Sequence, residues 1–163
     1  MKRTFVVLAV VAVMLGVIAA PASAQSTQVD GLGVLVAPGV APCDDAAHAG
    51  ADYALALDGD LNGCIYGYIT SIHYQEASGT YQERADEIFV GRWGTLTGTF
   101  DMVENFSGKF DPVTGDQEFG RCKHPIVVGS GTGDFAGVTG RLDFTDNVDA
   151  GNAPYRGHLS LGS

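Results

Sequence analysis

Glycine- and aspartate-centred turns recur through this chain at intervals too short to leave room for helices. Asp58-Gly-Asp-Leu-Asn-Gly63, Glu76-Ala-Ser-Gly79, Asp111-Pro-Val-Thr-Gly115 and Asp149-Ala-Gly-Asn-Ala-Pro154 are each flanked by segments of alternating apolar and polar residues. Such alternation is the period of a half-buried strand, and no stretch after the first two dozen residues shows a helical period. The spacing predicts strands over 53–57, 64–75, 80–93, 96–110, 118–124, 138–148 and 155–161, with a shorter one over 32–36. Links of hairpin length make neighbouring strands antiparallel, because a parallel crossover needs a dozen or more residues. The expectation is an all-β fold, a single antiparallel barrel of about eight strands, with a sandwich as the other way to hide the same pattern.

The first residues differ in kind. Lys2 and Arg3 precede an apolar run from Phe5 to Ala20, and Pro21-Ala-Ser-Ala24 supplies an A-x-A site before Gln25. This is the pattern of a cleaved secretory signal peptide of bacterial type. The run is interrupted by Gly16 and falls short of the ~20 apolar residues a bilayer span requires. No cysteine follows the site, which argues against a lipoprotein anchor. The chain therefore divides into a signal peptide (1–24), an irregular segment with one short strand (25–52) and a β-barrel domain (53–163). No membrane span is expected in the mature chain, and its location is extracellular or in the cell envelope.

Charge narrows the partners. Loss of Lys2 and Arg3 lowers the basic count from 9 to 7 against 19 acids, a formal charge of about −12. An acidic surface without clustered Lys or Arg offers nothing to phosphates, so nucleic acid is excluded as a partner. Cys43, Cys64 and Cys122 remain in an oxidising compartment, where one disulfide and one free thiol is the simplest outcome. Three pairings are open. Lys123-His124 directly after Cys122 make that cysteine the one candidate for a reactive thiol.

The stretch Gly129-Ser-Gly-Thr-Gly-Asp-Phe-Ala-Gly-Val-Thr-Gly-Arg-Leu-Asp-Phe144 contains Gly131-Thr-Gly-Asp-Phe-Ala136, which satisfies the dinucleotide fingerprint G-x-G-x-x-G/A. That motif needs a helix behind it, whereas 138–148 alternates as a strand. The segment instead reads as a turn between strands. With Trp93-Gly-Thr-Leu-Thr-Gly98 before it, this part of the chain resembles the allene oxide cyclase and dirigent-like barrels, in which a glycine-rich turn joins two late strands. The resemblance implies that barrel fold and makes a homo-oligomer plausible. It carries no catalytic residue onto this sequence.

Alternate residues of a strand face opposite sides, so parity proposes a lumen. Phe100, Met102 and Glu104 share a face of 96–110, Glu87 shares one with Phe89 and Trp93, and Arg121 shares one with Phe119. Phe144 joins them from a later strand. Glu87, Glu104 and Arg121 are therefore the candidate lumen polar residues, within a pocket lined by Phe89, Trp93, Phe100, Met102, Phe119 and Phe144. A buried carboxylate must be paired, protonated or near water. A register shift at a bulge, or a place near the barrel end, would equally explain Glu104. His48, His73, His124 and His158 are dispersed and read as surface residues, so neither a metal nor a cofactor is expected. The expectation is a secreted barrel of unassigned activity that binds a small apolar ligand or acts at the cell envelope. The alternative is an isomerase or cyclase resembling allene oxide cyclase, which works on an apolar substrate in the lumen through pocket shape and those three residues. Catalytic residues are unknown.

Overall fold

The computed structural model describes residues 26–162; the signal-peptide region lies outside the described residues. Eight strands form one closed antiparallel barrel: β1 (Thr27–Val36), β2 (Tyr53–Gly59), β3 (Leu61–Gln75), β4 (Thr80–Trp93), β5 (Leu96–Phe110), β6 (Gln117–Pro125), β7 (Thr139–Thr145) and β8 (Ala153–Ser160). Each strand pairs with its neighbour in sequence, and β1 closes the ring on β8 through a register from Thr27–Leu159 to Gly33–Ala153. Closure leaves no sheet edge. β1 is longer than the stretch 32–36 and is a full part of the barrel wall, because it pairs on both sides at once.

One end of the barrel is plugged. The glycine-rich segment lies across β5, with Thr132 N–H donating to Thr99 O at 2.8 Å and Asp134 accepting from Thr97 N–H at 2.9 Å. It contains a single three-residue 3-10 turn, Gly133–Phe135, which drops Phe135 into the lumen. Gly133 sits at φ +58, a conformation that disfavours a side chain, and a Cβ there would press on the backbone of Thr97. Phe135 is wholly buried against Phe89 and Phe100, at ring-centroid distances of 6.0 and 5.4 Å. Val29, Leu61, Met102, Val138, Leu142 and Leu159 complete this end of the core.

The opposite end stays open. β3, β4 and β5 overshoot the other strands there, and Tyr74, Tyr81, Phe106 and Phe110 pack edge to face on the overhang. The expected strand 138–148 runs over Thr139–Thr145; Asp146 N–H still donates to Gly120 O, and Gln117 Nε2 donates to Asp146 at 2.5 Å where the chain leaves the strand at the mouth.

A second, smaller core lies on the outer wall. Cys43 and Cys64 form a disulfide, and Cys122 is free and buried. The bond ties the loop before β2 over Ala54 and Tyr66, where His48 stacks on Tyr66 at 4.7 Å. Closing a loop of 21 residues contributes about 3 kcal/mol in the chain-entropy picture.

Candidate functional site

The open end leads into a cavity of about 560 Å³. Its walls are Leu35, Leu55, Ile69, Phe106, Phe110 and Phe144, and its floor is a cluster of polar groups: Tyr53, Glu104, Cys122 and His124. Glu87 lies behind that floor, buried together with His124.

Local sequence explains the placement. Glu87 on β4 and Glu104 on β5 are inward positions of neighbouring strands, separated by Ala85 and Met102 in the ladder. Tyr53 opens β2 and is paired with Gly67 of β3, which is in turn paired with Glu87. Gly67 is required by close approach: a Cβ there would collide with the Tyr53 ring. The missing side chain lets the ring cross β3 and deliver its hydroxyl to β4 and β5. The Tyr53 hydroxyl stands 2.8 Å from Glu87 Oε1 and 3.0 Å from Glu104 Oε2, and His124 Nδ1 stands 2.5 Å from Glu87 Oε2.

One hydroxyl proton serves only one acceptor. The contact pattern closes if Glu104 is protonated and donates to Tyr53, while Tyr53 and His124 Nδ1–H both donate to the Glu87 carboxylate. Burial, reinforced by the charge of Glu87, pushes the Glu104 carboxyl up to about 8. Burial also drives the Tyr53 and Cys122 groups upward, again with Glu87 and Glu104 adding to the shift. For His124 burial acts downward, but the Glu87 charge and hydrogen bond outweigh it, with Glu104 and Asp143 in support, and the net direction is up. His124 Nε2 has no hydrogen-bond partner among the described residues. Towards the mouth the lining adds Asp52, Glu83 and Asp146, with no Lys or Arg among the lining residues. The arrangement is an apolar tube with a hydrogen-bonding floor and an acidic rim.

Residues 40–156 match the family described as a protein of unknown function, DUF3224. The chain belongs to that family. No curated protein matches it in sequence. In this DUF3224 barrel no helix of the described residues is long and apolar enough to cross a membrane, a fact that does not bear on strands.

The lumen residues proposed from parity separate into two groups. Glu87 and Glu104 converge through Tyr53. Arg121 does not join them: it is exposed on the outer face of β6, as is Phe119, which is 45% exposed. Paired residues share a face, so the inward Phe106 of β5 sets Cys122 inward and leaves Arg121 and Phe119 on the other side, and the face changes only at a bulge before Phe119. Lys109 pairs with Phe119 but Phe110 pairs with Gln117, so Glu118 is an extra residue. Gln117 lines the lumen before the bulge, and Gly120, Cys122 and His124 face inward after it. Of the six proposed pocket aromatics and aliphatics, Phe144 lines the cavity, whereas Phe89, Phe100 and Met102 fill the plugged end and Trp93 packs partly buried against it.

His124 is no surface histidine; it is 1% exposed. The pattern Cys122-x-His124 carried the signal, since an i, i+2 pair on a strand shares one face. Tyr53 had no local signal, because its partners are 34 and 51 residues away.

Proposed function

We propose that this DUF3224 barrel binds a small, mostly apolar molecule in its lumen and holds one polar group of that molecule against Glu104 and His124. The observation that carries the reading is the 560 Å³ cavity itself, apolar along its walls and polar only at its floor and rim. Such a layout is typical of ligand pockets, where burial supplies affinity and a few fixed polar groups supply orientation. The outward position of Arg121 removes the third member of the acid–base set on which an isomerase reading rested, and favours binding. The eight antiparallel strands and the glycine-rich turn over one end support kinship with the allene oxide cyclase and dirigent-like barrels.

The test is a ligand screen on the mature protein and on Ala153→Phe. Ala153 lines the cavity, and a phenyl ring there fills space that a ligand would use. Thermal-shift screening over a lipid and aromatic panel, with mass spectrometry of co-purifying molecules, is expected to give hits on the wild type. Ala153→Phe is expected to lose them at least tenfold. A wild type that binds nothing, or a filled variant that binds equally well, sinks the reading.

We further infer that the ligand is met outside the cytoplasm. The Lys2-Arg3, apolar-run and Ala-Ser-Ala pattern and the Cys43–Cys64 disulfide support export. Protein recovered from the envelope or the medium is expected to begin at Gln25; material that retains Met1 there would count against cleavage.

A further inference from the structure

The floor of the cavity contains more than a hydrogen-bonding surface. Glu104, Cys122 and His124 each present a ligand atom, and these atoms lie within 4.8 Å of one another. Two of the residues are an i, i+2 pair on β6. The third faces them from β5, since Glu104 and His124 fall in the register that runs from the Asn105–Lys123 pair to the Met102–Ile126 bridge. All three are buried.

His124 is set up as metal-binding histidines are. Its Nδ1–H donates to Glu87 Oε2 at 2.5 Å, which fixes the ring and leaves Nε2 as the nitrogen that can turn a lone pair to an ion once it has lost any proton. That Nε2 is buried and has no partner among the described residues. An unsatisfied buried polar atom of this kind is rare and calls for an occupant. Charge points the same way. The cluster gathers two carboxyl groups, a thiol and a phenol around one imidazole, while Lys123 and Arg121 on the same strand face outward. The rim adds Asp52, Glu83 and Asp146. No Lys or Arg is among the lining residues, and the acidic entrance concentrates cations.

We propose that Glu104, Cys122 and His124 form a binding site for a divalent transition metal of the zinc class, with Glu87 as the carboxylate that orients His124. A nitrogen, a sulfur and an oxygen donor suit zinc and disfavour magnesium or calcium, which take oxygen alone. Zinc bonds of about 2.0–2.3 Å place tetrahedral donors roughly 3.3–3.8 Å apart, so the three groups close on the ion by at most about 1–1.5 Å. Glu104 then turns from Tyr53 to the metal, and Tyr53 keeps Glu87. The protons of the Cys122 thiol and the Glu104 carboxyl, and any Nε2 proton of His124, are released to solvent as the ion binds. The fourth position faces the cavity, as in sites that keep one place open. The metal site does not depend on the small-molecule reading, and the two fail separately.

The experiment uses the mature chain with its disulfide intact, stripped with a chelator and then titrated with Zn²⁺ and with Co²⁺. One ion per chain is expected, together with a thiolate-to-cobalt charge-transfer band in the near ultraviolet. Cys122→Ser, close in shape, is expected to abolish the band and weaken zinc at least tenfold. Glu87→Gln is expected to keep the band and weaken zinc ten- to a hundredfold. In the wild type, zinc is expected to slow modification of Cys122 by a thiol reagent under mild denaturant, a readout that needs no variant to fold. Absence of stoichiometric zinc, or equal binding by Cys122→Ser, overturns the proposal. So does a zinc-loaded wild type whose Cys122 reacts as fast as the stripped protein.

Discussion

Phe135→Ala is expected to destabilise the barrel by about 3–5 kcal/mol, the usual range for deleting a buried phenyl group. The ring is wholly buried, and it is the piece of the glycine-rich segment that enters the lumen. It touches Phe89 and Phe100, which are themselves 4.8 Å apart, so its loss opens a void among side chains that strands on all sides hold rigid. Relaxation is limited because the segment is pinned outside the barrel by Thr132 and Asp134. The measurement is a denaturant titration, in which the midpoint falls and the slope is unchanged. Thr132→Ala, which removes an exposed hydroxyl bond to Thr99 at 2.8 Å, is expected to cost under about 1 kcal/mol. Equal effects from the two variants would mean that the plug does not hold the end of the barrel. Phe135 is absent from the cavity lining at the open end, so ligand affinity is expected to survive its replacement.

That division between a plugged end and an open end was only half legible in the residues. β4 and β5 coincide with the alternating stretches 80–93 and 96–110, because a long hairpin buried on one face writes its period into every second side chain. β1 was partly hidden: Asp30, Gly31 and Gly33 break the alternation, and what holds them in a strand is pairing with both β2 and β8. Inward parity located Glu87 and Glu104, then failed on β6, where Phe119 was taken as inward and the lumen face is that of Gly120, Cys122 and His124, so Arg121 lies out with Phe119 and His124 lies in. Phe119 misled for a physical reason. A large apolar residue reads as interior, yet barrels leave some of them on the surface, as Val128 at 80% exposure also shows. The meeting of Tyr53 with the carboxyls was illegible, since it depends on a side chain that is missing at Gly67 and on which strands the closed ring makes neighbours.

Glu87 is where that meeting is most exposed to mutation. Its carboxylate accepts from Tyr53 on one oxygen and from His124 on the other, and both partners are held in place by other strands. Glu87→Ala leaves the buried His124 ring N–H without its acceptor and leaves the Tyr53 hydroxyl with Glu104 alone. Breaking one partner out of a buried charged network typically costs about 3–5 kcal/mol. Glu87→Gln is expected to cost less, about 1–3 kcal/mol, because the amide oxygen still accepts one of the two bonds while its NH₂ opposes the other donor. A double-mutant cycle with Tyr53→Phe isolates the shared contact, for which a coupling of about 0.5–3 kcal/mol is expected. Zero coupling would mean that Tyr53 and Glu87 are neighbours without being partners, and the cluster would then be three separate contacts. A finite coupling makes it one unit, in which Glu87 fixes Tyr53 and His124 together and thereby sets the floor that any occupant of the cavity must meet.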